Sequence, residues 1–288
     1  MKVILYNLKG EKVKEIELPE QFNEEYRPGI IKRAVFAIYT NLRQKYGAKP
    51  EAGKRYSAKI SRRRRDYKTA YGHGISRVPR KTLWRRGRQF GWVGALAPGT
   101  VGGRKAHPPK AEKNFAQKIN KKERKKAIRS ALAATANINL VKARGHKFNL
   151  TVPIIIESEF ENIKKSKEVI SVLKNIKLEE EIKRTSKRKI RAGKGKTRGR
   201  KYKTKVGPLI IVSNTCDLIN TAKNIPGLDV CVVNYLNAKL LAPGGQPGRL
   251  TIFTENAINK LKTENLFKKW KTHMKYSNTP YQQKKLLD

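Results

Sequence analysis

The sequence predicts an α/β fold: a single three-layer domain with a mostly parallel central sheet flanked by helices, plus a long irregular basic loop and a basic C-terminal tail. Short apolar runs alternate with helical patterns in the second half of the chain, which favours parallel strands joined by helices. Two other segments are strongly basic and show neither pattern. The hydrophobic share of 38% is enough for one core of about 150 to 200 residues.

The N-terminal elements are predicted to be a strand pair and a helix. Residues 3–6 and 13–18 have strand composition, with Lys9 and Gly10 at the turn between them, which indicates a hairpin. Pro28 suits a first helical position, and Gly47 can supply a left-handed stop. Between these two residues the helical spacing is kept by Ile31, Val35, Ile38 and Leu42.

The elements after residue 116 complete a globular domain formed by residues 1–46 and 116–264. Asn120 and Glu123 match a capping arrangement at a helix start. The apolar face of that helix is formed by Ala127, Ile128, Ala131, Leu132 and Thr135. Strands are predicted at 152–156, 209–212, 230–233 and 250–253, and helices near 162–174, 215–223, 234–241 and 255–262.

The first arm, residues 47–115, has no apolar periodicity. Within residues 47–112 it holds 10 of the 21 glycines, 5 of the 13 prolines, 18 Lys/Arg and only three acids. A connection of this length is functional or disordered. The functional case is favoured because aromatic residues, which disordered linkers lack, are interleaved with the charges: Tyr56, Tyr67, Tyr71, Trp84, Phe90 and Trp92.

Two further segments are basic. The second arm, residues 183–206, carries 13 Lys/Arg and no acid in 24 residues, and we interpret it as an enlarged crossover between elements. Residues 265–288 are predicted to be a basic C-terminal tail without a core of its own.

The formal net charge of +45 and the pI of about 10.5 indicate a polyanionic partner, because this much unpaired charge repels itself. An anionic membrane is disfavoured because we find no amphipathic helix with a bulky apolar face and no lipidation motif. The apolar run at residues 3–6 is too short for a signal peptide. Nucleic acid in the cytosol is therefore expected.

Arginine clusters carry the strongest functional signal, because the guanidinium fork matches phosphate oxygens and stacks on bases. The clusters are Arg62 to Arg65 and the group Arg77, Arg80, Lys81, Arg85, Arg86 and Arg88. The aromatic residues among them can stack on unpaired bases, a feature of RNA recognition, or pack against the arm itself. Both roles remain open for any single ring.

No catalytic, cofactor or metal site is predicted. The residues at 195–197 (GKT) lack the upstream glycine and strand of a phosphate loop. Cys216 and Cys231 fit small buried thiols, and the histidines His73, His107, His146 and His273 have no partners at zinc-ligand spacing. The carboxylates of the first arm are expected to be salt-bridge partners: Glu51, Asp66 and Glu112.

Several motifs occur in a fixed order: RRRRDYKTAYGHGISRVPR (62–80), GGRKAHPP (102–109), NKKER (120–124), RAGKGKTRGR (191–200), GPLIIV (207–212), LAPGG (241–245) and PGRLT (247–251). Together they resemble the large-subunit ribosomal protein L-four family in its archaeal and eukaryotic form, over roughly residues 1–264. The length is closer to the archaeal form.

The resemblance implies a structural constituent of the cytoplasmic large ribosomal subunit, which helps assemble it, with an α/β domain on the outside and a loop that penetrates the ribosomal RNA. The resemblance also implies that the tip of that loop helps form the constriction of the polypeptide exit tunnel. The tip candidates are Tyr71, Gly72, His73, Gly74, Arg77, Val78, Pro79 and Arg80. The residues expected to contact ribosomal RNA are Arg62, Arg63, Arg64, Arg65, Arg77, Arg80, Lys81, Arg85, Arg86, Arg88, Arg104, Lys105, Arg188, Arg191, Lys194, Lys196, Arg198 and Arg200.

The expected partners are large-subunit ribosomal RNA, neighbouring large-subunit proteins including the other protein of the tunnel constriction, and nascent polypeptide in passing. No membrane partner and no cofactor are expected. Two alternatives are compatible with the fold class and the charge: an RNA-modifying or nucleotide-dependent enzyme with a site at a switch point of the sheet, and a DNA-compacting protein. Co-sedimentation of the protein with large ribosomal subunits would favour the ribosomal interpretation, whereas co-sedimentation with chromatin would favour the DNA-compacting alternative.

Overall fold

The computed structural model of the protein describes residues 1–268, so residues 269–288 of the predicted tail lie outside the described residues. The chain divides into two units. The globular unit comprises residues 1–41 and the described residues from Gln117 onward, and the arm unit is Leu42–Ala116. The elements, in chain order, are β1 (Lys2–Tyr6), β2 (Lys12–Glu17), α1 (Pro28–Asn41), β3 (Arg80–Arg86), β4 (Gln89–Gly94), α2 (Lys121–Thr135), α3 (Ile138–Ala143), β5 (Ile154–Ile156), α4 (Ser166–Asn175), α5 (Glu179–Ser186), β6 (Lys189–Ile190), β7 (Tyr202–Lys203), β8 (Leu209–Val212), α6 (Leu218–Lys223), β9 (Asp229–Val232), α7 (Ala238–Leu241), β10 (Thr251–Thr254) and α8 (Glu255–Thr263).

The globular unit is built on a six-stranded sheet with the order β2-β1-β5-β10-β8-β9. Strands β1, β5, β10, β8 and β9 run parallel, and β2 pairs antiparallel with β1 as the predicted hairpin. Strands β5, β8 and β10 are buried along their whole length, as expected for a sheet covered on both faces. The predicted α/β class with a mostly parallel sheet is confirmed.

Helices cover both faces of this sheet. Because side chains alternate along a strand, Ile211 and Phe253 lie in a cluster with residues of α1, α2, α7 and α8. Ile210 and Ile252 lie in a second cluster with residues of α3, α4 and α6. The three-layer arrangement is therefore confirmed, and it follows from the short, wholly apolar strand sequences.

The predicted capping of α2 is correct in position and wrong in its contacts. Asn120 is the residue before the helix, but its side chain makes no capping hydrogen bond. Glu123 instead pairs with Arg33 of α1, at 3.2 Å between Oε1 and Nη1. The apolar face of α2 is buried as predicted. Packing of such a face against neighbouring elements provides most of the stability of a helix in a protein.

Helix α1 ends earlier than predicted, at Asn41 rather than near Gly47. The Asn41 Oδ1 accepts a hydrogen bond from the backbone N of Gln117 at 3.0 Å. Gly47 has a different role, since a Cβ there would meet the backbone N of Ala111 at 2.8 Å. The glycine therefore permits two segments of the arm unit to approach each other rather than stopping a helix.

Several elements were not predicted from the sequence: α3, α5, the strands β3 and β4 of the arm unit, and the short strands β6 and β7. The predicted second arm begins inside α5, whose last turn contains Lys183 and Arg184. The predicted helix at 234–241 is shortened to α7, because residues Val233–Tyr235 form a 3₁₀ turn. Among the described residues, no helix has the length and apolar character needed to span a bilayer.

Candidate nucleic-acid interface

The arm unit has almost no hydrophobic core. Among its residues, all of which are described, only Ala70 and Ala95 are buried apolar side chains. Two alanines remove little apolar surface from water, so hydrophobic burial contributes little to ordering this unit. The unit therefore depends on polar, aromatic and cationic contacts.

The arm unit is more regular than the irregular loop predicted, since β3 and β4 form an antiparallel hairpin. Its two-residue turn is Gly87-Arg88, and Gly87 has a φ of 58°, as the favoured hairpin turns require. Gly91 pairs with Trp84 across the hairpin. A Cβ on Gly91 would collide with the indole ring, so this position needs a glycine for the ring to lie there.

The aromatic residues of the arm unit take both of the roles that the sequence left open. Tyr67, Phe90 and Trp92 pack edge to face, with ring centroids 5.4 and 5.3 Å apart in consecutive pairs. These three rings form a small internal cluster. Trp84 is different, because 56% of it is exposed and its ring is available to stack on a base.

The predicted arginines divide into free and internally engaged side chains. Arg62 to Arg65 are exposed in a turn, and their side chains make no hydrogen bond, ion pair or ring contact with any described residue. Arg86, Arg88, Arg104 and Lys105 also have no side-chain partner in the described part of the chain. The remaining cations lie over rings of the same unit, at 4.3 to 5.4 Å from the centroids: Lys81 over Tyr56, Arg77 over Tyr71, Arg80 over Trp92 and Arg85 over Tyr67.

Residues 71–74 form a turn in which Gly72 and Gly74 have positive φ angles of 76° and 62°. A Cβ added to either glycine would meet no atom within 4 Å, so backbone conformation alone requires glycine there. Arg80 anchors the following segment by donating to the Ser76 hydroxyl at 3.2 Å and to the Val78 carbonyl at 3.3 Å. The tip candidates thus form one continuous turn and its exit into β3.

The carboxylates of the first arm were expected to be salt-bridge partners, and this prediction is wrong for the described residues. Asp66 accepts hydrogen bonds from the Ser61 hydroxyl at 2.8 Å and from the Tyr67 backbone N at 2.9 Å. Glu51 and Glu112 have no ion pair with a described residue. The positive charge of the arm unit is therefore left without internal neutralisation.

The second arm is a hairpin extension of the globular unit, in which β6 pairs with β7. Arg191 joins the two sides of this hairpin, because its guanidinium donates to the carbonyls of Arg200 and Tyr202 at 3.0 and 3.4 Å. The other predicted contact residues are exposed and have no side-chain partner among the described residues: Arg188, Lys194, Lys196, Arg198 and Arg200.

A buried triad of charged and polar side chains, Glu181, Arg184 and His146, holds the base of the second arm. The Glu181 carboxylate, fully buried, accepts from Arg184 Nη2 at 2.6 Å, Arg184 Nε at 2.8 Å and the Lys147 backbone N at 3.0 Å. His146 Nδ1 lies 2.7 Å from Glu181 Oε1, the oxygen that also accepts from Arg184 Nη2. Arg184 Nη2 also donates to the Val206 carbonyl at 2.7 Å, which joins the two ends of the second arm.

Contacts within the triad and its burial shift the pKa values of Glu181 and His146. Burial acts to raise the pKa of Glu181, but hydrogen bonds from Arg184, His146 and Lys147 outweigh it and lower the pKa to about 2. Burial lowers the pKa of His146, against the opposing effect of Glu181. The neutral imidazole must therefore carry its proton on Nδ1 to donate to an ionised carboxylate.

Arg249 is a second buried anchor, missed in the sequence although it lies in the PGRLT motif. Only 1% of it is exposed. Its guanidinium donates to the carbonyls of Gly207 at 2.8 Å and Leu240 at 3.0 Å, and it pairs with Asp229 at 2.5 Å. Arg249 thus fixes the chain at the start of β8, where the second arm returns to the sheet.

At the carboxyl edge of the sheet, where an enzyme of this class would bind a ligand, the Glu161 carboxylate is engaged in internal contacts. Glu161 accepts from the Ser213 backbone N at 2.8 Å, from the Ser213 hydroxyl at 2.7 Å and from the Thr254 hydroxyl at 2.5 Å. Both carboxylate oxygens are therefore engaged in joining β5, β8 and β10. This cluster is a structural one.

The remaining reactive side chains also have structural surroundings. Cys231 is buried and Cys216 is partly buried, and both are free thiols. Burial raises the pKa of both, to about 11 for Cys231. No group of three or more metal-ligating side chains occurs within residues 1–268. His273 lies outside the described residues.

The two basic arms hold cations that no described carboxylate neutralises, which is the charge pattern expected of a protein that contacts a polyanion. The chain belongs to the Ribosomal protein L4/L1 family, whose model matches residues 16–264. The C-terminal boundary of the match coincides with the end of α8 to within a residue.

Curated relatives are similar over nearly their whole length. The large ribosomal subunit protein uL4 of Nanoarchaeum equitans is 52% identical over 268 residues, which cover 93% of this chain and 100% of the relative. The proteins of the same name from Methanocaldococcus jannaschii and Archaeoglobus fulgidus are 48% and 46% identical, each over 91% of this chain and 98% of the relative. The predicted resemblance to the L-four family is confirmed, and the names of these relatives confirm a ribosomal protein rather than an enzyme.

Proposed function

We propose that the chain is a structural protein of the large ribosomal subunit in the cytoplasm, that it binds large-subunit ribosomal RNA through its two arms, and that it helps the subunit assemble. The observation that carries this proposal is the set of exposed cations without carboxylate partners in both arms. In water such charges bind phosphates and release counterions. Their placement on an almost coreless arm unit favours a partner that surrounds the arm.

Within this proposal, Arg62 to Arg65 supply phosphate contacts and Trp84 supplies a stacking surface. Arginines without internal partners can form bidentate bonds to phosphate without first breaking a contact. Arg77, Arg80 and Arg85 already lie over aromatic rings, so their guanidinium groups are held in position before RNA binds. Arg191 is expected to shape the second arm more than to contact RNA.

The binding test uses the full chain and transcribed large-subunit ribosomal RNA over a salt series. If about six to ten phosphates are contacted, the affinity is expected to fall roughly 10³- to 10⁵-fold between about 50 and 200 mM salt. Replacing Arg62 to Arg65 with glutamine should weaken binding and reduce the slope of this salt dependence.

The matched control replaces four exposed lysines of the globular unit, which make no hydrogen bond or ion pair with a described side chain, with glutamine: Lys167, Lys174, Lys177 and Lys223. This variant removes the same charge from a surface outside both arms. Equal losses in the two variants would mean that net charge, and not the arm, determines binding. A flat salt response of the unchanged protein would contradict phosphate contacts as the source of affinity.

We further propose, from the family resemblance, that residues 71–80 border the polypeptide exit tunnel next to a second constriction protein. The turn at 71–74 contains two glycines with positive φ angles. Because glycine has no side chain, this turn is narrow, which supports its placement beside a constriction. His73→Cys, labelled with a photocrosslinker in reconstituted large subunits, should crosslink to a stalled nascent chain. A label at Thr100→Cys serves as the control, and equal crosslinking at both positions or at neither would contradict this placement.

A further inference from the structure

A groove of about 750 Å³ lies at the base of the second arm in the globular unit. It lies between the end of α3, the paired strands β6 and β7, and the turn that contains Gln246 and Pro247. We call it the basic groove. Its volume lies within the roughly 300–1,000 Å³ of pockets that hold small ligands, and it is larger than a phosphate group alone requires.

The charged lining of the basic groove is entirely positive. The cations are Arg144, Arg184, Lys189, Lys203 and Lys205, and no lining residue is acidic. Arg184 is neutralised by Glu181, which it approaches to 2.6 Å. The three lysines have no side-chain partner among the described residues, so they concentrate unpaired charge around one space.

Arg144 adds a preorganised guanidinium to this set. It donates to the carbonyls of Gln246 and Pro243, but it pairs with no carboxylate of the described residues. Burial, together with the positive charges of Arg249 and Arg184, lowers the pKa of Arg144 to about 10. A cation held in this way gains stability when an anion enters the groove.

The lining of the groove also contains apolar side chains and an aromatic ring. Leu140, Ala143, Val206 and Pro247 contribute aliphatic surface, and Tyr26 contributes an aromatic side chain that is 41% exposed. Thr204 and Gln246 add a hydroxyl and an amide with no side-chain partner among the described residues. Cationic groups, apolar surface and free hydrogen-bonding groups in one groove match the phosphate, the base and the sugar of a nucleotide.

We propose that the basic groove receives one unstacked nucleotide of RNA, with its base against the apolar side chains of the lining and its phosphate between Arg144 and the lysines. This inference deepens the proposed function and rests on it. The exposed cations of the second arm continue from the rim of the groove and provide contacts for the neighbouring phosphates. An intact duplex would leave the apolar side chains of the groove uncovered, whereas an extruded base covers them.

The test compares two short RNA hairpins that differ only by one bulged 2-aminopurine, a fluorescent base. The full chain should bind the bulged hairpin about tenfold more tightly, as expected for one stacked base, and the fluorescence of the bulge should change on binding. Ala143→Trp fills the groove and keeps every charge, so it should abolish both the preference and the fluorescence change. Tyr26→Ala, at the rim, should reduce the preference severalfold.

The matched control is Asn139→Trp, which places the same ring on α3 outside the groove and should retain the preference. Equal binding of both hairpins by the unchanged protein, with a steep salt dependence, would overturn the groove proposal and leave RNA binding intact. Retention of the preference in Ala143→Trp, with native circular dichroism, would also overturn it. Weak binding to both hairpins that does not respond to salt would contradict the proposed function as well.

Discussion

Replacing Glu181 with glutamine is expected to destabilise the globular unit by about 3 kcal/mol at neutral pH. The shift of the Glu181 pKa from 4.5 to about 2 corresponds to about 3 kcal/mol at 1.36 kcal/mol per pH unit. The same magnitude follows from the geometry, since removing one partner of a buried ion pair costs about 3–5 kcal/mol. Arg184 would be left without its carboxylate, with only 13% of its side chain exposed.

The pH dependence provides a second, independent readout. The folded-state pKa of Glu181 lies below its unfolded value, so its stabilising contribution is complete above pH 4.5 and is lost as the pH falls towards 2. The pKa of His146 is also lowered, so charging it in the unfolded state reduces stability below about pH 6.5 in both proteins. The difference in the free energy of unfolding between wild type and Glu181→Gln should therefore become smaller only below pH 4.5.

Urea unfolding followed by circular dichroism measures both effects on the full chain. Glu180→Gln is the matched control, because the neighbouring side chain is 75% exposed and lies 3.7 Å from Lys147. An exposed pair of this kind contributes less than about 1 kcal/mol. If Glu181→Gln unfolds within 1 kcal/mol of Glu180→Gln, or if its difference from wild type is the same at pH 3 and pH 7, the triad does not stabilise the fold as argued.

Three further substitutions probe other contacts. Arg249→Met should destabilise the protein by about 3–5 kcal/mol in the same unfolding assay, because several buried carbonyls lose their donor; a loss under 1 kcal/mol would contradict that role. Gly91→Ala should displace the exposed Trp84 ring and speed tryptic cleavage of the hairpin severalfold, whereas Gly99→Ala, with no atom near its Cβ, should leave cleavage unchanged. Thr254→Val should cost about 1–3 kcal/mol by removing a donor to the buried carboxylate after β5, and unchanged thermal unfolding would show that this bond is dispensable.

The sheet and its helices were predictable because their signals are local. Strands β8 and β10 are wholly apolar runs of four buried residues, and the apolar spacing of α1 and α2 is helical. Their ends were less predictable. Helix α1 stops at Asn41, where a contact with Gln117, 76 residues away in the chain, holds the end of the helix.

The hairpin of the arm unit was not predictable from periodicity. Alternation between apolar and polar residues marks a strand only when one face is buried, and β3 has no buried residue on either face. The turn glycine at position 87 was the one local sign of this hairpin. The cationic and aromatic composition nevertheless indicated a binding segment, since composition does not depend on which residues are neighbours in space.

The sequence by itself determined the α/β class, the two basic arms and the family, because charge, apolar runs and ordered motifs are properties of the chain alone. Tertiary structure decided which cations are neutralised and which are free. Glu181 meets His146 from 35 residues away, and Arg249 meets Gly207 from 42 residues away. Such pairings arise only when the sheet brings distant segments together, and the same packing assembles Arg144 and three lysines around the basic groove.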